Sequence, residues 1–269
     1  RKGGTMYEPV LPTQEYYEKL NRYIVEVGLP WSIEDVTDWD GEHELLHPVM
    51  GDTAGRAVLD CSCGWGRQTI ALAQMGWNVT ATDISDSSMD FARQRARELG
   101  LDIDFRACDM RDLAQHFRAE FDWVISCFAL YEILDDDDIQ RAVNGMFAAL
   151  KPGGKCYLRL RNMDFLPEDD PSYRFRGEKS VPHGRIICID DWILESETHF
   201  ISVHAFLRED ERRQEGFRWH TDILASRVRL LGKTDLIRLL ETAGFQYITF
   251  LPQDGPWFPY EIVASKLGN

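Results

Sequence analysis

The run Val58-Leu59-Asp60-Cys61-Ser62-Cys63-Gly64-Trp65-Gly66 joins a short apolar segment to a carboxylate and two closely spaced glycines. Glycine has no side chain to hold the backbone away from a ligand, so the turn at Gly64 and Gly66 can cradle one. Asp83 follows Asp60 by 23 residues, near the roughly 20 that separate such a turn from an acid able to accept both hydroxyls of a ribose. Counted from Gly64, the place of a third dinucleotide glycine is taken by Thr69. A carboxylate at Asp60 would also repel a pyrophosphate and suit an ammonium group. Both features tell against a dinucleotide, and leave open an α/β domain binding some other nucleotide-like ligand.

These residues need elements to position them, and the apolar pattern supplies a series. Ala57 to Asp60, Asn78 to Thr82, Ile103 to Arg106, Phe121 to Cys127 and Lys155 to Arg161 read as strands. The fourth is almost wholly apolar, as a strand buried on both faces should be. Helical spacing separates them: Thr69 to Met75, then Ser85 to Leu99 with Ser85 as N-cap and Gly100 as stop. A third helix, Asp138 to Leu150, is ended by Lys151-Pro152-Gly153-Gly154. Strands alternating with helices call for a parallel sheet with right-handed crossovers. After Asp164 the pattern changes. Residues 165–184 read as a surface loop, and Arg185 to Trp192, Thr198 to Arg208 and Trp219 to Arg229 read as an antiparallel meander. A helix from Lys233 to Ala243 and strands Phe245 to Phe250 and Tyr260 to Lys266 then return to the first pattern. The expected division is a helical arm over 1–50, an α/β domain over 51–164 and 231–269, and a β insertion over 165–230.

Composition narrows the partners. The chain has 269 residues, 44% of them hydrophobic, which is enough for a sizeable core. A formal charge of −15 repels phosphate backbones and anionic lipid, so neither nucleic acid nor a membrane surface is an expected partner, and a small molecule is. No apolar run reaches the roughly 18 residues of a membrane span. The start Arg1 to Thr5 lacks a signal peptide's apolar stretch and reads as a remnant before Met6. Six cysteines without a regular framework suggest reduced thiols in a cytoplasmic compartment. Cys61 and Cys63 lack a second ligand pair at zinc spacing, so no metal is expected. His199 and His204, in the meander, read as packed or solvated strand residues.

The order Asp60 to Gly66, then Thr82-Asp83-Ile84-Ser85, then Cys108-Asp109-Met110, then Leu150-Lys151-Pro152-Gly153-Gly154 resembles the class I S-adenosylmethionine-dependent methyltransferases over residues 57–161. The resemblance implies a Rossmann-like α/β fold with a seven-stranded, mostly parallel sheet, the β insertion serving as a substrate cap. It implies S-adenosylmethionine as cofactor. The turn at Asp60, Cys61, Gly64 and Gly66 would hold the methionine moiety, Asp83 with Ile84 the ribose, and Asp109 the adenine amino group, with Met110 packed on the ring. Cys127 closes the fourth strand beside this site. Within the class the chain is most similar to bacterial glycine/sarcosine N-methyltransferases, through Asp109-Met110-Arg111, Arg161-x-x-Asp164, Asp190-Asp191-Trp192 and the helix ending Ala243-Gly244-Phe245.

That resemblance implies an arginine after strand five, here Arg161, gripping a substrate carboxylate; a structural ion pair with Asp164 is the alternative. The family's Asp-Asn-Ala-Leu-Pro-His after strand four is replaced by Cys127-Phe128-Ala129-Leu130-Tyr131-Glu132. Glu132 or Tyr131 could then take a proton from an amine, Glu132 being otherwise an exposed residue before a helix. The arm reads Trp39-Asp40-Gly41-Glu42 and lacks the family's arginine after Trp-Asp, so Arg67 or an arm tyrosine would meet the methionine carboxylate. Tyr17 and Trp31 could enclose the sulfonium by cation–π attraction. The expected function is methylation of a small molecule, foremost at an amine nitrogen. Transfer to oxygen, sulfur or a carboxylate, and a cofactor-binding interaction subunit, are the alternatives.

Overall fold

A computed structural model describes residues 10–27, 39–51, 55–162, 173–181, 183–212, 218–252 and 259–268. Trp31 and Asp164 lie outside these. The chain forms two compact units: Val36–Leu166 with Leu231–Asn269, and Arg1–Asp35 with Pro167–Leu230.

The larger unit begins with α2 (Trp39–Met50) and continues β1 (Ala57–Asp60), α3 (Arg67–Gln74), β2 (Asn78–Asp83), α4 (Asp86–Glu98), β3 (Asp104–Ala107) and the short α5 (Leu113–His116). It goes on with β4 (Phe121–Cys127), α6 (Asp136–Ala149) and β5 (Leu150–Leu160), and ends with α7 (Lys233–Ala243), β10 (Gln246–Phe250) and β11 (Tyr260–Ser265). The sheet order is β10-β11-β5-β4-β1-β2-β3. Neighbours from β3 to β5 are parallel, and β11 runs antiparallel to both β5 and β10. This is the seven-stranded, mostly parallel sheet that the motifs imply. Chain order reverses direction between β1 and β4, the place where ligands bind an open α/β sheet.

Local chemistry explains the boundaries. Ser85 caps α4 by accepting the Ser88 N–H, and Gly244 ends α7 in the left-handed region at φ 101°. Helix α6 starts two residues earlier than its apolar pattern suggests, because the Asp135 side chain accepts the N–H groups of Asp137 and Asp138. The Pro-Gly-Gly stretch ends that helix yet stays in the sheet: β5 begins at Leu150, and its ladder with β4 shifts register before Lys155. One core holds Leu46 and Met50 of α2 against Val58, Leu72, Met89, Ile125 and Tyr157. The stretch 1–50, read from sequence as one arm, is therefore divided, since α2 packs into the α/β core.

The smaller unit contains α1 (Thr13–Val27) and an antiparallel sheet, β6 (Tyr173–Val181), β7 (Gly184–Leu194), β8 (His199–Glu209) and β9 (Trp219–Arg229), in that order. The Leu11 N–H donates to the Ala225 carbonyl at 2.9 Å, so the segment before α1 extends from β9. The reading of 165–184 as a loop is corrected for its second half, which is β6. Its Arg, Glu and Lys residues, and the register shift between Phe175 and Gly177, are devices of an edge strand rather than of a loop.

Candidate active site

The glycine turn is built from both sides of the strand crossing. The Cys61 N–H donates to the Ile125 carbonyl of β4 at 3.0 Å, and the Cys63 N–H to the Thr82 carbonyl of β2 at 3.0 Å. Gly64 and Gly66 have φ of 48° and 88°, which an L side chain rarely adopts. Their surroundings differ. A Cβ on Gly66 would stand 2.7 Å from that of Ala92, so this glycine lets α3 and α4 approach. A Cβ on Gly64 would meet nothing within 4 Å, which leaves open space over the turn.

Three carboxylates surround it in unlike states. Asp83, half-buried, accepts the N–H groups of Gly64 at 2.8 Å and Ser85 at 2.9 Å. Burial raises its pKa, against the pull of the Ser85, Gly64 and Ile84 backbone. Asp60 is fully buried, accepts the Thr69 hydroxyl at 2.7 Å and the Ser62 N–H at 3.3 Å, and is pushed up to about 7 by burial. Asp109 begins the turn Met110–Asp112 and is grasped by Arg111, whose Nε lies 2.9 Å from one carboxylate oxygen and 3.0 Å from the other. Burial alone would raise Asp109; the Arg111 hydrogen bonds outweigh it and hold the acid below the usual range. Cys61 and Cys127 are buried thiols raised well above their ordinary value, first by desolvation, so neither is a nucleophile.

The acceptor candidates meet one another beyond β4 and β5. Tyr131 and Glu132 lie in the turn Leu130–Glu132, and Arg161 follows β5. Burial raises the Tyr131 phenol; the Arg161 guanidinium, hydrogen-bonded to it, and the Glu132 carboxylate both act on it electrostatically. Phe128, just before this turn, has φ 58°, a strained position for a bulky residue, held by its N–H donating to the Arg159 carbonyl at 2.7 Å.

Arg67 does not stand alone at the turn. Its Nε lies 2.8 Å from Glu42 Oε1, and Glu42 also takes Arg159 Nη1 at 3.1 Å. Glu42 and Arg159 are not among the site residues expected from sequence; the signal available was the missing arginine after Trp39-Asp40, which left the methionine carboxylate without its usual partner. Tyr17 belongs to the smaller unit, where its ring meets Tyr16 edge-on at 5.2 Å. There Tyr16 lies 2.5 Å from His204 Nδ1, His204 Nε2 3.2 Å from Asp190, and Asp190 3.0 Å from Arg176. His204 is thus one link of a buried polar chain and not an isolated strand residue. Among the described residues no group of three or more His, Cys, Asp or Glu could hold a metal.

Residues 58–154 match the family model of a methyltransferase domain. The chain has the Rossmann-like methyltransferase fold. Curated relatives are ubiquinone biosynthesis O-methyltransferases. That of Idiomarina loihiensis is 33% identical over 136 residues, 46% of this chain and 55% of that protein. That of Coxiella burnetii is 36% identical over 111 residues, 41% of this chain and 46% of that protein. The chain spans about half the length of these relatives. Among solved structures, the sugar N-methyltransferase KedS8 from Streptoalloteichus matches with a TM-score of 0.69 at 14% identity, over 99% of this chain and 98% of that one. The amino pentose methyltransferase CalS10 from Micromonospora echinaspora matches at 0.65 and 16%, over 97% and 99%. These structures share the fold. Both of these relatives are named O-methyltransferases, so they do not support the finer resemblance to glycine/sarcosine N-methyltransferases.

The cofactor of this class is S-adenosylmethionine, and the residues present fit it. Open space above Gly64 and a half-buried carboxylate at Asp83 beside it together make a cradle for a nucleoside.

Proposed function

We propose that the protein transfers a methyl group from S-adenosylmethionine to the amine nitrogen of a small, amino-acid-derived acceptor. The observation that carries this reading is the meeting of Arg161, Tyr131 and Glu132 beyond β4 and β5. A guanidinium bonded to the Tyr131 phenol and a carboxylate acting on the same phenol suit an acceptor that itself carries a carboxylate and an ammonium. The cofactor brings an already activated methyl group. What remains for the chain is to align an uncharged nucleophile and exclude water. Arg161 anchors the acceptor carboxylate, while Glu132 receives the ammonium proton that must leave before the nitrogen has a lone pair. Asp83 holds the donor's ribose, and Met110 and Asp109 the adenine.

Oxygen methylation is the second reading, favoured by the names of the curated relatives. Incubation with methyl-labelled donor and parallel panels of amino acids, amines and phenols separates the two. Turnover confined to phenols or to acids overturns the amine reading. Wild-type kcat/KM in both Arg161→Ala and Glu132→Gln removes those residues from the mechanism. A protein that binds donor yet turns over nothing would be an interaction subunit.

A further inference from the structure

Glu42 is a buried carboxylate, 1% exposed, on a helix that precedes the whole methyltransferase pattern. It faces two guanidinium groups from different elements. Arg67 is the first residue of α3, directly after the glycine turn, and Arg159 is paired in register with Cys127 at the end of β4. Arg159 also stacks over the Phe128 ring at 5.1 Å and approaches Glu261 of β11 at 3.7 Å. One carboxylate thus ties the start of α3, directly after the glycine turn, to the end of β5 beside β4, next to the strand crossing.

Stability alone does not account for this arrangement. Breaking such a pair is costly, yet replacing the whole buried set by apolar residues is commonly neutral or better, so burial of the ions does not itself argue for stabilisation. Nor does α2 need Glu42 as an anchor. Leu46 and Met50 already sit in the core, and the Trp39 ring lies 5.2 Å from the Arg95 guanidinium. The ion cluster instead fixes the direction of a long flexible side chain, Arg67, at the N-terminus of the helix following the turn.

We propose that Glu42 is a positioning residue for the donor: by holding Arg67 at Nε, it presents that guanidinium to the carboxylate of the donor's methionine arm. The inference rests on the proposed S-adenosylmethionine reading. It goes beyond it in giving the missing family arginine a substitute made of two residues, one acid and one base, from different segments.

The test uses two ligands of the full chain by calorimetry. S-adenosylhomocysteine carries the amino-acid arm, and 5′-methylthioadenosine lacks it. Glu42→Gln should weaken S-adenosylhomocysteine roughly tenfold, the scale of one charge-assisted hydrogen bond, and leave 5′-methylthioadenosine within about twofold. Arg67→Met, which keeps the Glu42–Arg159 pair and stands if Glu42→Gln does not fold, should show the same selective loss. The double variant should bind no more weakly than either single one, because the two act as a unit. Equal loss of both ligands, unchanged affinity for S-adenosylhomocysteine, or additive effects would each overturn the proposal. Failure of the wild-type chain to bind either ligand would instead overturn the donor reading itself.

Discussion

The two units each bury a chain of acid and base, and they build it in opposite ways. In the α/β unit, Glu42, Arg67 and Arg159 come from a helix, a turn and a strand end, and the pairing is ionic throughout. In the smaller unit, Asp190 and His204 are cross-strand partners of β7 and β8, Arg176 comes from β6, and Tyr16 adds a neutral hydroxyl from α1. The first cluster depends on a tightly packed turn. The second depends on register, since sliding β7 against β8 by one residue would send Asp190 and His204 to opposite faces. Substitutions should therefore separate: those around the turn should change donor binding, and those in the sheet should change stability alone.

The largest effect is expected at Gly66. An alanine there must hold φ near 88° and place its methyl against Ala92, whose Cβ cannot rotate away. The expected loss is about 3 kcal/mol, read as a fall in denaturation midpoint, whereas Gly64→Ala, with open space around it, should cost only about 1 kcal/mol. Ala92→Gly in the same chain should recover part of the Gly66→Ala loss. If both glycine variants melt alike, the close approach of α3 and α4 is not what Gly66 serves.

Asp83→Asn comes next. It keeps the size of the side chain and removes the charge that accepts the Gly64 and Ser85 N–H groups. Affinity for S-adenosylhomocysteine should fall roughly 50-fold, about 2.3 kcal/mol, since hydrogen bonds to an ionised acceptor are the strong ones. In the other unit, Asp190→Ala should cost about 2 kcal/mol of stability by leaving His204 and Arg176 without their shared acid. Donor affinity should stay within about twofold. A matching loss of donor affinity there would break the separation between the units.

The same contrast governs how far the sequence could be read. In the α/β unit, the residues expected at the donor stand at successive strand ends, so Asp60, Gly64, Asp83 and Asp109 appear in chain order at spacings a linear scan can find. Arg161 and Tyr131, both placed from motif position, do meet. What the scan misses is pairing between distant elements. Nothing near Glu42 announces Arg159, 117 residues away, and the capture of Asp109 by Arg111 follows from a tight turn rather than from a motif. In the antiparallel unit the pairing of Asp190 with His204 is set by register, which alternating polarity leaves undetermined. Tyr173 to Val181 reads as a loop because the charges that protect an edge strand look the same as the charges of a loop.

Asp60 provides the smallest effect and one with a definite sign. Its carboxyl titrates near 7 in the folded protein, against 3.8 when exposed, because burial disfavours the anion. Between pH 4 and 7 the folded state therefore holds a proton that the unfolded state has lost. Stability must fall as pH rises through that window, and the full penalty is present above it. Asp60→Asn removes the ionisation but keeps only one of the two oxygens that accept the Thr69 hydroxyl and the Ser62 N–H, so the gain is partial. The variant should exceed wild type by about 1 kcal/mol at pH 8, or roughly 2–4 °C in melting temperature, and that advantage should shrink as pH falls and be gone by about pH 4. A gap that stays the same from pH 8 to pH 4 would mean that Asp60 acts through shape and hydrogen bonding, with its charge already neutralised by the turn.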